Sequence, residues 1–414
     1  MPYRHTDQSR DGLRLSQVPQ TDMRFERNPS IDYQDRFRGA MAGTAAGDAL
    51  GRALEGMPPY RIRRQHGYVT ELIPWGGYVS GPKGTLTDDT EMTLSLAQSI
   101  LENGGVDPHD VAERFMYWGL IGRGMGSATR AACKRLAKGL PWYEAGAASA
   151  GNGAAMRSTP IALASPLDVE KLRRTAARTT VITHADPTAV ASSIVMAYVT
   201  AFLLHTPTGQ LDLDELLLGI DTVLEGIDDP PVKQRQSGLR VTLQDRIHEV
   251  FAMRQMHIED IYDVTHNGAF VLESLPAAIG AFIVNHNDPE RTITDAANGG
   301  YDADTVAAMA GSFAGAYHGF AALPARWVAD LEFLSGIVGI ADNLAALGGL
   351  GEPHPTIENP GFNAYAPFVV DGELWMTRHH HHAAQQFPGI AQGIRVMPHP
   401  TAIGAFTAKN QVFA

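Results

Sequence analysis

Apolar residues recur at helical spacing along most of the chain, from about residue 35 to residue 347. Ala- and Leu-rich segments such as residues 92–101, 171–179 and 306–320 show this spacing, and loops rich in Gly, Pro and Asn separate them. Runs that alternate apolar and polar residues, as strands do, are scarce. The pattern therefore predicts an all-α domain in which helices pack on helices.

The last of these segments carries small residues at four-residue spacing, Gly311, Gly315 and Gly319. Residues four apart share one face of an α-helix, so these glycines predict a flat stripe along it. A stripe without side chains lets neighbouring backbones approach closely. We therefore expect this helix to be central and buried.

Changes in composition divide the chain into three parts. Residues 1–34 mix charge, Gln, Ser and Pro without periodicity, which indicates an N-terminal extension or surface strap. Residues 35–350 form the helical domain, with a helical insertion at about residues 206–265. Residues 351–414 are rich in Pro, Gly and aromatic side chains, and FVVDGELWM has a hairpin-turn signal at Asp371-Gly372. We expect this last part to be a small appendage of mixed β and loop content.

Charge and composition narrow the class of protein. The 414 residues include 33 basic and 45 acidic side chains, and a net charge of −12 argues against a general nucleic-acid binder. The N-terminal residues lack the apolar core of a secretion signal, and the apolar stretch at about 194–204 is too short to span a bilayer. The single cysteine, Cys133, has no internal disulfide partner. We expect a cytoplasmic protein without membrane contact.

One acidic cluster, in GTLTDDTEMTLSLAQSI, places Thr87, Asp88, Asp89 and Thr90 directly before a helical run that starts near Glu91. A single Asp in this place usually caps the free N–H groups of the helix. Two adjacent Asp between two Thr exceed what a cap requires, because adjacent like charges repel unless a cation or several donors offset them. So many hard oxygen ligands favour Mg²⁺ or Mn²⁺.

A second acidic cluster, in NGGYDADTVAAMAGSFAGAYHG, puts Asp302, Asp304 and Thr305 between a glycine turn and the striped helix. Alone, this motif is more often a helix cap than a metal site. Two acidic helix starts of the same kind in one chain favour a metal site over two caps, because the fold can bring both to one metal centre.

A glycine-rich loop, SAGNGAAMRSTP, forms a third cluster. Gly151, Asn152 and Gly153 can present backbone N–H groups to an anion, and Arg157 can add a guanidinium, although an ordinary turn is the simpler interpretation. Asp48, Glu55 and His184 (in THADP) are weaker candidates. An acidic residue in a helix usually lies on a solvated face, and a histidine before Asp-Pro is usually a loop or capping residue.

Taken in order, these clusters resemble the ADP-ribosylglycohydrolase family. The matching segments are GAMAGTAAGDALGRALEG, GTLTDDTEMTLSLAQ, GNGAAMR, THADP, ESLPAAIGAF and NGGYDADTVAAMAGSFAGAYHG, spanning about residues 37–319. The TDDT and DxDT pair is the specific part of the likeness. Departures include Tyr301, where many members have Gly or Asp, and Gly124 and Met125, where the nitrogenase-regulating branch has an acidic residue.

The resemblance implies an orthogonal bundle of helices around two divalent cations, Mg²⁺ or Mn²⁺. Six residues match the family's metal ligands: Thr87, Asp88, Asp89, Asp302, Asp304 and Thr305. Four match its substrate-binding positions: Gly151, Asn152, Gly153 and His184. Glu55 matches the mobile glutamate over the metals and is the candidate catalytic residue. The implied reaction is hydrolysis at C1″ of ADP-ribose, which frees it from a modified protein or a small conjugate.

Two other classes stay open at this point. One is a catalytically silent ADP-ribose-binding or immunity-type protein, in which the carboxylates would usually be eroded, whereas here they are intact. The other is a different metal hydrolase such as a phosphatase, which would more often mix His with Asp ligands. The His379–382 run offers such ligands, but a solvated tract is the simpler interpretation.

Overall fold

The structure, a computed structural model, describes residues 20–75, 81–120, 122–233 and 238–355, and the backbone of three short strands nearer the C-terminus. These residues form α-helices joined by short turns, which confirms the all-α prediction. The helices are α1 (Tyr33–Gly51), α2 (Pro59–His66), α3 (Asp88–Asn103), α4 (Pro108–Trp118), α5 (Ser127–Leu136), α6 (Trp142–Ala145), α7 (Thr159–Ala164), α8 (Val169–Val181), α9 (Pro187–His205), α10 (Leu213–Leu224), α11 (Leu243–Ala252), α12 (Ile258–Thr265), α13 (Val271–Asn285), α14 (Pro289–Asn298), α15 (Ala303–His318), α16 (Ala325–Val328) and α17 (Leu334–Leu347). Among the described residues, 3₁₀ turns lie at Arg52–Leu54, Asn152–Ala154 and Phe320–Ala322.

Small sheets accompany the helices in the described part of the chain. Strands β1 (Val232–Lys233) and β2 (Arg240–Val241) pair antiparallel. Strand β3 (Phe368–Val370) pairs antiparallel with β4 (Glu373–Met376), as the hairpin signal predicts, and β5 (Ile394–Val396) pairs with β4 in parallel. The Asp371-Gly372 turn and the His379–382 run lie outside the described residues.

Helices α1 and α15 form the centre of the domain and touch backbone to backbone. A Cβ built on Gly43 would lie 2.1 Å from the carbonyl oxygen of Gly311, and one on Gly315 would lie 1.9 Å from that of Gly39. Only glycine permits this approach. The predicted stripe is thus confirmed for Gly311 and Gly315. Gly319 lies just after the helix with φ +87°, and its carbonyl carbon would lie 2.6 Å from a Cβ built on Gly39.

The antiparallel contact of α1 and α15 brings distant parts of the sequence together. At the end of α1, a Cβ built on Gly51 would lie 2.2 Å from the carbonyl oxygen of Ala303, the first residue of α15. Glu55 follows α1 by four residues, and Asp302 directly precedes α15. The fold therefore places the candidate catalytic glutamate and the second acidic cluster at one end of the core.

Helix α9 packs beside this pair. The helix is longer than the apolar stretch at 194–204, and by length and composition alone it could cross a membrane, but 94% of its most apolar window is buried inside the protein. The N-terminal strap reaches α9 as well. The ring of Phe25 stacks on His205 with their centroids 5.0 Å apart.

Candidate active site

The start of α3 is capped from another helix. The buried carboxylate of Asp48, on α1, accepts the N–H groups of Thr87 (2.9 Å) and Thr90 (3.2 Å) and both their hydroxyls, at 2.8 and 2.5 Å. These bonds satisfy donors that a helix leaves free at its N-terminus. Asp48 thus caps α3, so the carboxylates of Asp88 and Asp89 are not needed as caps and are available for another role. The helix itself begins at Asp88, three residues before the predicted start.

Asp89 has an unusual environment for a buried carboxylate. It is 1% exposed, and its Oδ1 atom has no hydrogen-bond partner among the described residues. Its Oδ2 atom faces the Thr87 hydroxyl at 3.1 Å. Burial and the neighbouring charge of Asp48 raise the pKa of Asp89 well above its usual value. An unsatisfied buried carboxylate oxygen is costly, and its presence here points to a missing positive partner.

The second acidic cluster is held by backbone contacts on both sides. Tyr301 donates its N–H to the carbonyl oxygen of Met57 (2.8 Å) and accepts the N–H of Gly56 (2.6 Å), which ties the turn after Glu55 to the start of α15. The N–H of Asp302 donates to the carbonyl oxygen of Asn267 at 2.9 Å. Tyr301 has φ +56°, a strained value for a bulky residue, and its side chain is exposed at this turn.

The two acidic helix starts meet in one place. Glu55, Asp302 and Asp304 each offer a carboxylate oxygen within 4.8 Å of the others. Besides burial, the charge of Asp89 acts on Asp304 across the two clusters and raises its pKa. Burial first, and then the charge of Asp304, raises the pKa of Asp88 well above its usual range. The structure therefore places Asp302 and Asp304 together with Glu55, and brings Asp88 and Asp89 near enough for their charges to act on Asp304.

This acidic site fits divalent cations. In the part of the chain that the structure describes, the lysine and arginine ion pairs involve other carboxylates, not those gathered here. The donor set consists of oxygen atoms, which suits Mg²⁺ or Mn²⁺ better than a softer metal. The unpartnered Oδ1 of Asp89 is a ready ligand atom.

The glycine loop lies against the same site but uses its groups differently from the prediction. The N–H of Asn152 donates to the carbonyl oxygen of Ala269 (3.1 Å), and that of Gly151 donates to the Ser149 hydroxyl (3.2 Å). These two N–H groups are therefore engaged within the protein, and the substrate-binding role of Gly151 and Asn152 stays a prediction. The Asn152 side chain instead donates to Asp302 Oδ2 at 2.5 Å, so Asn152 serves the acidic site.

The loop's glycines make room for His184. A Cβ on Gly153 would lie 2.9 Å from His184 Cε1, and one on Gly151 would lie 3.3 Å from His184 Nε2. Gly153 also lies in the first turn of its 3₁₀ helix, where its N–H has no intrahelical acceptor. Of the three predicted loop residues, Gly153 is the one that keeps a donor for a ligand.

Sequence reasoning missed a network that holds the loop after α4 against Asp88. Buried Glu91 accepts the indole N–H of Trp118 (2.9 Å) and the Nε and backbone N–H of Arg123, at 2.6 and 3.0 Å. The next residue, Gly124, has φ +78°, and a Cβ there would lie 2.7 Å from Asp88 Oδ1. The signal in the sequence was Glu91, a charged residue one helical turn after Asp88 on the buried face of α3.

Comparisons with known proteins give one consistent result. A sequence profile described as ADP-ribosylglycohydrolase matches residues 29–353. The chain is 29% identical to the ADP-ribosyl-[dinitrogen reductase] glycohydrolase of Rhodospirillum rubrum, over 78% of this chain and 99% of that protein. It is 31% identical to the ADP-ribosylhydrolase ARH3 of Mus musculus, over 72% of this chain and 87% of that protein.

A solved structure agrees with the sequence comparisons. It is described as an ADP-ribosylglycohydrolase-related protein complex and superposes with a TM-score of 0.61 at 31% sequence identity. The match covers 77% of this chain and 99% of the solved one. The likeness therefore extends through the whole fold of that chain and is not limited to the acidic motifs.

Proposed function

The chain belongs to the ADP-ribosylglycohydrolase family, and from this we propose that it cleaves the C1″ glycosidic bond of ADP-ribose carried by a protein side chain or a small conjugate. It is a glycosidase-type hydrolase that acts on ADP-ribose linkages. One observation supports the finer proposal most directly: Glu55, Asp302 and Asp304 converge within 4.8 Å at the end of the central helix pair. A cytoplasmic location remains our prediction.

We propose that two divalent cations, Mg²⁺ or Mn²⁺, bind among Thr87, Asp88, Asp89, Asp302, Asp304 and Thr305. When bound, such ions supply positive charge that offsets the carboxylates and polarises oxygen ligands. The Asn152 side chain donates to Asp302 Oδ2, and the backbone N–H of Thr305 donates to Asp304 Oδ1 (2.9 Å), so both carboxylates are held in place. The arrangement lets an acidic protein accept an acidic ligand.

Glu55 is our candidate for general acid or base catalysis. It follows the 3₁₀ turn Arg52–Leu54, its side chain is partly open to solvent, and its backbone is fixed by the pairing of Gly56 with Tyr301. Partial burial and the charge of Asp302 raise the pKa of Glu55. A carboxyl group at this position, beside Asp302 and Asp304, can exchange a proton with a leaving group or water as the glycosidic bond breaks.

Replacing Glu55 with Gln should lower kcat by about a hundredfold or more, because a general acid or base contributes on that order. The amide keeps the shape of the side chain, so affinity for ADP-ribose should stay nearly unchanged. Single-turnover kinetics and calorimetry with ADP-ribose measure the two quantities separately.

Glu259→Gln is the matched control, because Glu259 is an exposed carboxylate that pairs with Arg63 on the surface. Its turnover should equal that of the unmodified protein. A Glu55→Gln protein with normal kcat would remove Glu55 from the chemistry, and one with lost affinity would make it a binding residue.

A release assay tests the proposed function as a whole. The substrates are proteins that carry ADP-ribose on arginine or on serine, and small ADP-ribose conjugates. Each is incubated with the protein and Mg²⁺, Mn²⁺ or a chelator, and the released ADP-ribose is measured. We expect release from at least one linkage that depends on added metal. Binding of ADP-ribose without release from any of them would favour the catalytically silent alternative.

A further inference from the structure

Arg157 is a buried cation whose bonds all go to neutral groups in the described part of the chain. It is 1% exposed, and its guanidinium donates to the carbonyl oxygens of Gly153 (2.7 Å) and Thr179 (3.1 Å) and to the Thr183 hydroxyl (2.7 Å). It also lies over the ring of Phe115, with its central carbon 4.7 Å from the ring centre. A buried charge is expensive, so a residue kept this way needs a specific use.

The bond between Arg157 and Thr183 fixes the direction of the next hydrogen bond. A guanidinium can only donate, so the Thr183 oxygen accepts from Arg157. The hydroxyl hydrogen of Thr183, which is fully buried, then has one described acceptor, His184 Nδ1 at 2.8 Å. If Nδ1 carried the proton instead, the Thr183 hydrogen would be buried without a partner. A neutral His184 ring must therefore carry its proton on Nε2.

The Nε2 side of the ring faces the glycine loop. A Cβ on Gly151 or on Gly153 would lie 3.3 Å from His184 Nε2. Arg157 also holds this loop, through its bond to the carbonyl oxygen of Gly153. Arg157 thus bonds the glycine loop directly and orients the His184 ring through Thr183.

We propose that Arg157 and Thr183 are positioning residues that hold His184 as an Nε2–H donor toward an oxygen of bound ADP-ribose. This inference rests on the proposed function, because it takes the ligand to lie beside the glycine loop. Burial and the positive charge of Arg157 lower the pKa of His184 to about 3, so the ring is neutral at physiological pH. The ring therefore offers a fixed tautomer rather than a charge.

Nitrogen-15 NMR of the full chain without ligand tests the tautomer directly. The signal of His184 is assigned by its loss in His184→Asn, and its two nitrogen shifts report which atom carries the proton. We expect an Nε2–H ring in the unmodified protein and in Thr183→Ser, which keeps the hydroxyl. In Thr183→Val we expect a mixture of tautomers. An Nδ1–H ring in the unmodified protein would overturn the proposal without any variant.

Thr180→Val is the matched control. Thr180 is equally buried near the same helix end, and its hydroxyl donates to the carbonyl oxygen of Ala176 (2.7 Å), outside the proposed chain of bonds. Calorimetry with ADP-ribose should show about tenfold weaker binding for Thr183→Val, the cost of one poorly aligned hydrogen bond, and normal binding for Thr183→Ser and Thr180→Val.

The outcomes separate this inference from the function on which it rests. Equal losses in Thr183→Val and Thr180→Val would show a packing effect and overturn the positioning role, as would unchanged binding in Thr183→Val. An unmodified protein with an Nε2–H ring but no affinity for ADP-ribose would instead reject the proposed function, and with it the ligand assigned to His184.

Discussion

Replacing Gly43 with alanine should prevent α1 and α15 from packing against each other at their present distance. The added Cβ would lie 2.1 Å from the carbonyl oxygen of Gly311 and 2.8 Å from its carbonyl carbon. Both contacts are to backbone, so no side chain can turn away, and α1 and α15 must separate along their length. We expect a loss of about 3 kcal/mol or more in the free energy of unfolding, which denaturant titration measures.

Separation of these helices should also displace the residues of the active site. Asp48 lies on α1, Asp304 lies on α15, and the contact of Gly51 with Ala303 joins them at the end of the core. Any Gly43→Ala protein that still folds should therefore bind metal more weakly. Loss of stability should appear in the melting temperature before it appears in activity at low temperature.

Gly126→Ala is the control for the glycine effect. Gly126 has φ −66° before α5, and a Cβ there would meet nothing within 4 Å. Its free energy of unfolding should change by less than about 1 kcal/mol, since both space and backbone conformation admit a side chain. Equal stability of the two alanine variants would contradict the close contact of α1 and α15.

The glycine stripe shows how far the sequence carries a prediction of the fold. The four-residue spacing of Gly311 and Gly315 correctly indicates a buried helix, because the periodicity is a local property. Its partner helix was not identified, although Gly39, Gly43 and Gly47 repeat the same spacing. Which two stripes meet depends on contacts between residues some 270 positions apart in the chain, and no local pattern records them.

The acidic residues show the same limit at the site. The TDDT motif alone is compatible with a cap or a ligand set, because both use oxygen atoms at a helix start. The structure distinguishes the roles through Asp48, whose carboxylate takes the free N–H groups of α3. The glycine loop differs for a related reason: the backbone partner of Asn152 is Ala269, in a segment that only the folded chain brings near.

Asp304→Asn should abolish hydrolysis, with a fall in kcat/KM of about a thousandfold or more, because it removes a ligand charge worth several kcal/mol to the transition state. Asp304 is 4% exposed, and burial and the charges of Asp89 and Glu55 raise its pKa. Those charges repel one another without cations. The metal-free variant should therefore melt at the same or a higher temperature than the metal-free unmodified protein.

Metal should stabilise the unmodified protein by mass action, because it binds the folded state and finds no assembled site in the unfolded chain. Adding Mg²⁺ or Mn²⁺ after chelation should raise its melting temperature by several degrees, about what 1–3 kcal/mol gives in a chain of this size. The rise should be smaller in Asp304→Asn. In Glu259→Gln, which changes a surface carboxylate, it should be unaltered.

The double variant Asp88→Asn with Asp304→Asn decides whether the two helix starts form one centre. If both carboxylates bind the same ions, the first substitution already removes most of the metal-induced rise, and the second adds little. Two independent caps would instead give separate losses of stability that add, about 1 kcal/mol each, and no response to metal in any variant. The charge of Asp304 contributes to the raised pKa of Asp88, so we expect strong coupling. Additive losses with no response to metal would leave the carboxylates as structural residues.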